Sequence, residues 1–197
     1  MIWTFLVLSV VVGLIRGGKI SRLSGLKFQS LWLFILALAI QAVIILFGVN
    51  TDSIVLEYIK ELYVASYALL FIGIILNIKI RSLIVIALGA ISNILVFAVN
   101  KGKIPISIEG LKLAGYNDLI ELLKNGEIAL YTPLTSDIKY AYLSKLITIQ
   151  KPYPFPQVLS IGDVIIALGL FIFIQSVMLN PNLTKGNMLK FGYKNKF

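Results

Sequence analysis

Apolar residues fall along this chain in long runs, with neither the alternation of a half-buried strand nor the one-sided stripe of a surface helix. Five runs stand out: residues 2–15, 31–47 (broken only by Gln41), about 62–78, 83–99 (carrying Ser92 and Asn93) and 160–179. A bilayer-crossing helix needs about 20 mostly apolar residues, within a range of roughly 17–25. The first run is short, so it requires local thinning of the bilayer or continuation through Gly17 and Gly18. Residues 54–61 extend the third run outward as an interfacial turn. All five read as helices, because lipid cannot satisfy an open backbone and no strand-length alternation suggests a barrel. The expected fold class is an all-α integral membrane protein. Residues 1–179 form a five-span helical bundle with a partly helical extracytoplasmic loop over 100–158, followed by a basic cytoplasmic tail over 180–197.

The connectors between runs set an orientation. Arg16, Lys19, Arg22 and Lys27 follow the first run with no acid among them, Lys79 and Arg81 follow the third, and Lys185, Lys190, Lys194 and Lys196 follow the fifth. The second connector holds Asp52, Glu57, Lys60 and Glu61, and the long fourth one mixes seven Lys with Glu109, Asp118, Glu121, Glu127 and Asp137. With five spans, every acid-free connector lies on one side, which the positive-inside rule makes cytoplasmic. The N-terminus is then outside. Met1–Ile15 has no basic residue ahead of its apolar stretch and is followed directly by Arg16, so it is expected to stay as a span rather than be removed as a signal peptide. The expected location is a bacterial cytoplasmic membrane.

Composition agrees. The chain of 197 residues is 58% hydrophobic and only 14% charged, against roughly 25% charge in soluble domains. The net charge of +9 is spread over short connectors rather than gathered on one module, so no nucleic-acid partner is expected. With no Cys and no His, thiolate sites and the commonest general base are ruled out, and no metal or cofactor is expected. The partners implied are the lipid bilayer and either a membrane protein or a lipid-linked ligand.

The outer segment is too long for a bare loop. Ser107 has the position of a cap for one short helix, and Asn117 that of a cap for a second, ending at Asn125-Gly126. Leu119, Ile120, Leu122 and Leu123 give that second helix an apolar side for the membrane surface or the bundle. Pro152, Pro154 and Pro156 predict an extended, stiff approach to the last span.

Asp163 carries the main chemical question, because an acid in an apolar span is costly. One reading is a helix cap: Ser160-Ile161-Gly162-Asp163 has capping-box spacing, and the carboxylate lies at the positive end of the helix dipole. The other is a catalytic or binding acid. Asn93 and Asn100 lie nearly on one helical face, two turns apart, and either bond between helices or line a polar pocket with Asp163. Lys101 and Lys103 are candidates for an anionic headgroup or simply solvated. Asp137 is the acid that completes a two-carboxylate site with Asp163 if the loop returns it to the head of the last span.

Three boxes resemble a bacterial family of small multi-spanning membrane proteins, domain of unknown function 5317. They are Arg16-Gly17-Gly18-Lys19, Asn100-Lys101-Gly102-Lys103-Ile104-Pro105-Ile106-Ser107, and Ser160-Ile161-Gly162-Asp163 opening the last span. The resemblance implies the fold and a membrane location and brings no activity. Two departures stand out: Lys101 replaces a Gly, and Leu143-Ser144-Lys145 stands where the family tends to have Leu-Gly-Asp. The latter removes a possible second acid. An Asp heading the last span is also reminiscent of lipoprotein signal peptidases, but only by analogy.

The function expected is a non-enzymatic accessory, binding or small transport component. The alternative is an intramembrane hydrolase acting at the outer surface with Asp163 as its acid. The orientation is open to test in the naturally Cys-free chain. Single Cys residues replacing Asp118 and Lys190 are expected to react with an impermeant thiol reagent only from outside and only from inside, respectively.

Overall fold

The computed structural model describes residues 2–26, 28–48 and 54–180. The expected basic tail beyond Asn180, and Asp52 in the second connector, lie outside the described residues. Helices α1 (Ile2–Ile15), α2 (Ser21–Ser24), α3 (Leu31–Phe47), α4 (Ile54–Glu57), α5 (Ile59–Leu76) and α6 (Ser82–Val99) come first. An outer segment follows, made of strand β1 (Ile104–Ile106), helices α7 (Ile108–Ala114) and α8 (Asn117–Lys124), strand β2 (Tyr131–Pro133), a short 3-10 turn (Ala141–Leu143), and strands β3 (Ile147–Ile149) and β4 (Gln157–Leu159). The last helix, α9, spans Ile161–Leu179.

Three of these helices, α5, α6 and α9, are long and apolar enough to cross a membrane. Helices α1 and α3 are apolar but shorter, at 14 and 17 residues. Their lengths come to about 21 Å and 26 Å, against a hydrocarbon core of about 30 Å. The third apolar run is helical from Ile59 to Leu76, so it begins earlier and ends earlier than its hydropathy suggests. Ahead of it lies the short helix α4, separated from α5 by a break at Tyr58.

Helix α9 is the central column, packed against α6 on one side and α1 on the other, while α3 packs on α5. Small residues bring α6 and α9 close. A Cβ at Gly89 would lie 2.6 Å from the Gly162 carbonyl oxygen, and one at Gly169 would lie 2.7 Å from Ile86. Ala90 and Ala167 are fully buried. Tight backbone approach through small side chains is how apolar helices gain dispersion contact where no water is present to drive them together. Two glutamines inside the bundle are paired: Gln41 donates to Ser66 Oγ at 2.7 Å, and Gln175 donates to the Ser9 carbonyl.

The basic box after α1 closes the far end of α9. The Lys19 N–H and the Arg22 guanidinium both donate to the Met178 carbonyl, at 3.1 Å and 2.6 Å, and Arg16 donates to Gln175 Oε1 at 3.2 Å. Helix ends leave carbonyls without intrahelical donors, and cations near them also complement the dipole.

The outer segment corrects the all-α expectation. Strands β1 and β2 pair in parallel, and β3 and β4 pair antiparallel. These short ladders satisfy buried backbone that two helices alone would leave unpaired. Ser107 caps α7 as expected, accepting from the Gly110 N–H at 3.0 Å. Asn117 does not cap α8: Tyr116 holds the N-cap position, and Asn117 is already helical. The Pro152–Pro156 stretch turns and bends between β3 and β4 instead of running extended, with a cis Lys151-Pro152 bond. The apolar side of α8 faces the segment's own core of Ile106, Leu111, Ala114, Leu123, Ile128 and Val158. Helices and strands thus form a cap over the outer end of the bundle.

Because Gly89 faces backbone, a Gly89→Ala change cannot be absorbed by a side-chain shift. It is expected to lower stability by about 1–3 kcal/mol, the usual cost of overpacking, measured by SDS titration in mixed micelles. An unchanged midpoint would mean that α6 and α9 are not this close.

Candidate functional site

The head of α9 is built by its first four residues. Ser160 is extended at the N-cap, and its Oγ accepts from the Asp163 N–H at 2.9 Å while Asp163 Oδ2 accepts from the Ser160 N–H at 3.1 Å. This is the capping box that the spacing predicts. It does not stand alone. Ser160 Oγ donates to Asn93 Oδ1 at 2.7 Å, and Asn93 Nδ2 donates to Asp163 Oδ1 at 2.8 Å. Asn93 projects from α6, so the cap is locked to the neighbouring helix. Gly162 makes this possible, since a Cβ there would collide with the Asn93 amide.

The remaining partner comes from the cap. Lys145 Nζ donates to Asp163 Oδ2 at 2.8 Å in an ion pair whose side chains are 19% and 20% exposed. The Lys145 backbone is gripped as well: its N–H donates to the Pro105 carbonyl and its carbonyl accepts from the Ser107 N–H, both at 3.0 Å. The second sequence box therefore positions the main chain of Lys145, and the third engages its side chain. Burial disfavours the ammonium, but the adjacent Asp163 carboxylate outweighs this and holds Lys145 above its ordinary range. Lys145 is thus a charged donor at neutral pH.

Three donors converge on the two oxygens of Asp163. Beside them is a cavity of about 150 Å3 with a mixed lining, whose polar wall includes Gln41, Tyr63, Tyr67, Asn93, Lys145 and Asp163. Tyr63 donates to the Tyr67 hydroxyl at 3.2 Å, and its ring packs on Phe97 with centroids 4.7 Å apart. A second cavity of about 230 Å3 lies under α7 and α8 and is lined mainly by apolar residues, among them Ile59, Leu111, Leu119 and Leu123. Ile44, Ile45, Leu130, Tyr131 and Lys145 border both.

Of the residues singled out in the sequence, Asn93, Ser160 and Asp163 meet at this site. Asn100 does not line the cavity. It follows α6 and pins the outer segment, donating to the Val96 and Lys139 carbonyls at 2.8 Å and 3.0 Å and accepting from the Lys139 N–H at 3.0 Å. Lys101 is exposed, with φ +58, and Lys103 borders neither cavity. Asp137 is exposed and accepts from the Thr135 hydroxyl, which holds its carboxyl below the ordinary range, with the Lys101 charge as a smaller contribution. Among the described residues Asp137 is not hydrogen-bonded to Asp163, and it does not line the cavity that Asp163 borders.

Lys145, Tyr63, Tyr67 and Tyr131 are site residues that sequence reasoning passed over. For Lys145 a signal existed: an acid at the edge of an apolar helix needs a countercharge, and the outer segment holds seven Lys from which to draw it. A family model described as Family of unknown function (DUF5317) matches residues 25–175, a stretch that takes in the whole site. No curated protein and no solved structure matches the chain.

Removing either partner of the ion pair leaves the other charge without its mate. With about a fifth of each side chain still exposed, Asp163→Asn and Lys145→Met are each expected to cost about 1–3 kcal/mol, below the value for a fully buried pair. The double variant should cost less than the sum, with a coupling of about 1 kcal/mol or more. SDS unfolding of the four proteins measures it, and strict additivity would mean that the contact contributes nothing.

Proposed function

The chain belongs to the family of unknown function DUF5317, and from that premise we propose that it is a non-enzymatic binding component of the bacterial cytoplasmic membrane. In this reading all five apolar helices cross the bilayer, with α1 and α3 matched by local thinning. The N-terminus is outside, the basic connectors lie inside, and the cap closes over the outer end. The ligand site is the polar cavity at the head of α9 together with the chamber beneath the cap.

The observation that supports binding over chemistry is the state of Asp163. Both of its oxygens already accept hydrogen bonds, from Lys145, Ser160 and Asn93, which uses three of the roughly four lone-pair positions of a carboxylate. A general acid or base must lie within hydrogen-bond reach of the proton that it transfers, and among the described residues no second carboxylate lines the cavity with Asp163. The hydrolase reading is weaker for this reason. A cavity with a few convergent polar groups on an otherwise apolar lining is instead the usual form of a small-molecule site.

Native mass spectrometry of protein released from its own membrane provides the test. The wild type is expected to retain a bound small molecule, and Lys145→Met and Asp163→Asn are expected to lose it alike. A wild type that carries nothing, beside an Asp163→Asn protein that accumulates a lipid-linked species, would favour hydrolysis and overturn the proposal.

A further inference from the structure

We infer that the two cavities form one site for a single-chain amphiphile with an uncharged, oxygen-bearing head, admitted sideways from the outer leaflet. This rests on the binding reading above and names its ligand class. The joined shape comes first. A space of about 150 Å3 with one polar wall and a more apolar space of about 230 Å3 share Lys145, Tyr131, Leu130 and the Ile44–Ile45 edge of α3. A ligand filling both must carry a polar group on one end and hydrocarbon on the other.

The donors decide the head. An ammonium has three N–H groups, and Lys145 gives one to Asp163. Two remain for the cavity. The Tyr131 phenol and Gln41 Oε1, both on the polar wall, make no hydrogen bond among the described residues. The open positions are therefore mainly donors, with one amide acceptor, which suits hydroxyl or carbonyl oxygens. Charge excludes the other heads. Lys145 and Asp163 are the charged residues on the two linings, and they neutralise one another at 2.8 Å. An anionic head would have to displace Asp163 from Lys145, and a cationic head would face the ammonium.

The route follows from Ile45, which borders both cavities and is 74% exposed on α3. An exposed apolar residue of α3 thus stands on the rim of both cavities. An apolar cavity on the order of 150 Å3 accepts a benzene-sized guest. The chamber of about 230 Å3 takes a longer piece of chain than that but not a whole one, so the remainder stays in lipid beyond Ile45.

Equilibrium binding of radiolabelled probes to the full chain in maltoside micelles tests this. The probes share one chain and differ in the head: 1-monooleoylglycerol, oleate and oleylamine. Monooleoylglycerol is expected to bind at least tenfold more tightly than either charged probe. Lys145→Met, which removes the donors, and Leu119→Trp, which fills the apolar chamber, are each expected to weaken it at least tenfold. Glu109→Gln, on the exposed side of α7, should leave it unchanged. If Lys145→Met does not fold, Leu119→Trp decides the location alone. Oleate or oleylamine binding within tenfold of monooleoylglycerol, but lost in the two variants, would overturn the uncharged head and leave the binding reading intact. Binding indifferent to both variants would overturn the location. Binding of none of the three to a folded wild type would overturn the ligand class and count against the binding reading as well.

Discussion

The outer half of this protein is organised by one requirement: a carboxylate at the head of an apolar helix must be given donors. Asp163 receives them from its own helix cap, from the adjacent helix and from the overlying cap. Each source alone is ordinary. Together they fix three separate parts of the chain against one another, because leaving any of the donors or the acid unpaired in a low-dielectric setting is costly. The cap's placement is thus tied to a single short contact as well as to its apolar core. The pairing also explains why the backbone of Lys145 is held on both sides: a long flexible side chain makes a defined ion pair only when its main chain is already in place.

The last helix is held by different physics at its two ends. At the head, a side-chain carboxylate collects donors. At the foot, a backbone carbonyl of Met178 collects an amide and a guanidinium from the connector after α1. Between them the helix relies on close approach, with Gly89, Gly162 and Gly169 removing the side chains that would separate it from α6. Polar contacts thus fix its ends, and dispersion holds its length.

Much of this was legible in the sequence. The apolar runs are helices with nearly the expected bounds, and the serine and acid at Ser160 and Asp163 form the capping box that their spacing predicts. These features are local and follow from periodicity and from hydrogen bonds over three residues. What the sequence concealed is non-local. The strand pairs of the cap join segments up to roughly 27 residues apart, as Ile104 with Tyr131, and strands of three residues carry too little pattern to announce themselves. Lys145 lies 18 residues from its partner, and nothing in Leu143-Ser144-Lys145 marks which of the outer lysines would turn inward. Asn93 was a candidate because a polar side chain in an apolar span stands out. Asn100, on the same face, stood out equally and pins a loop instead.

The glycine contact between α6 and α9 also limits how the cavity can change shape. Two helices whose backbones touch have no slack for sliding or rotation, so the wall that carries Asn93 and Asp163 behaves as a fixed jaw. The rest of the lining comes from α3, α5 and the cap, among them Gln41, Tyr63, Tyr67, Tyr131 and Lys145. An occupant is therefore accommodated by those other side chains before it can part the two helices that carry Asn93 and Asp163.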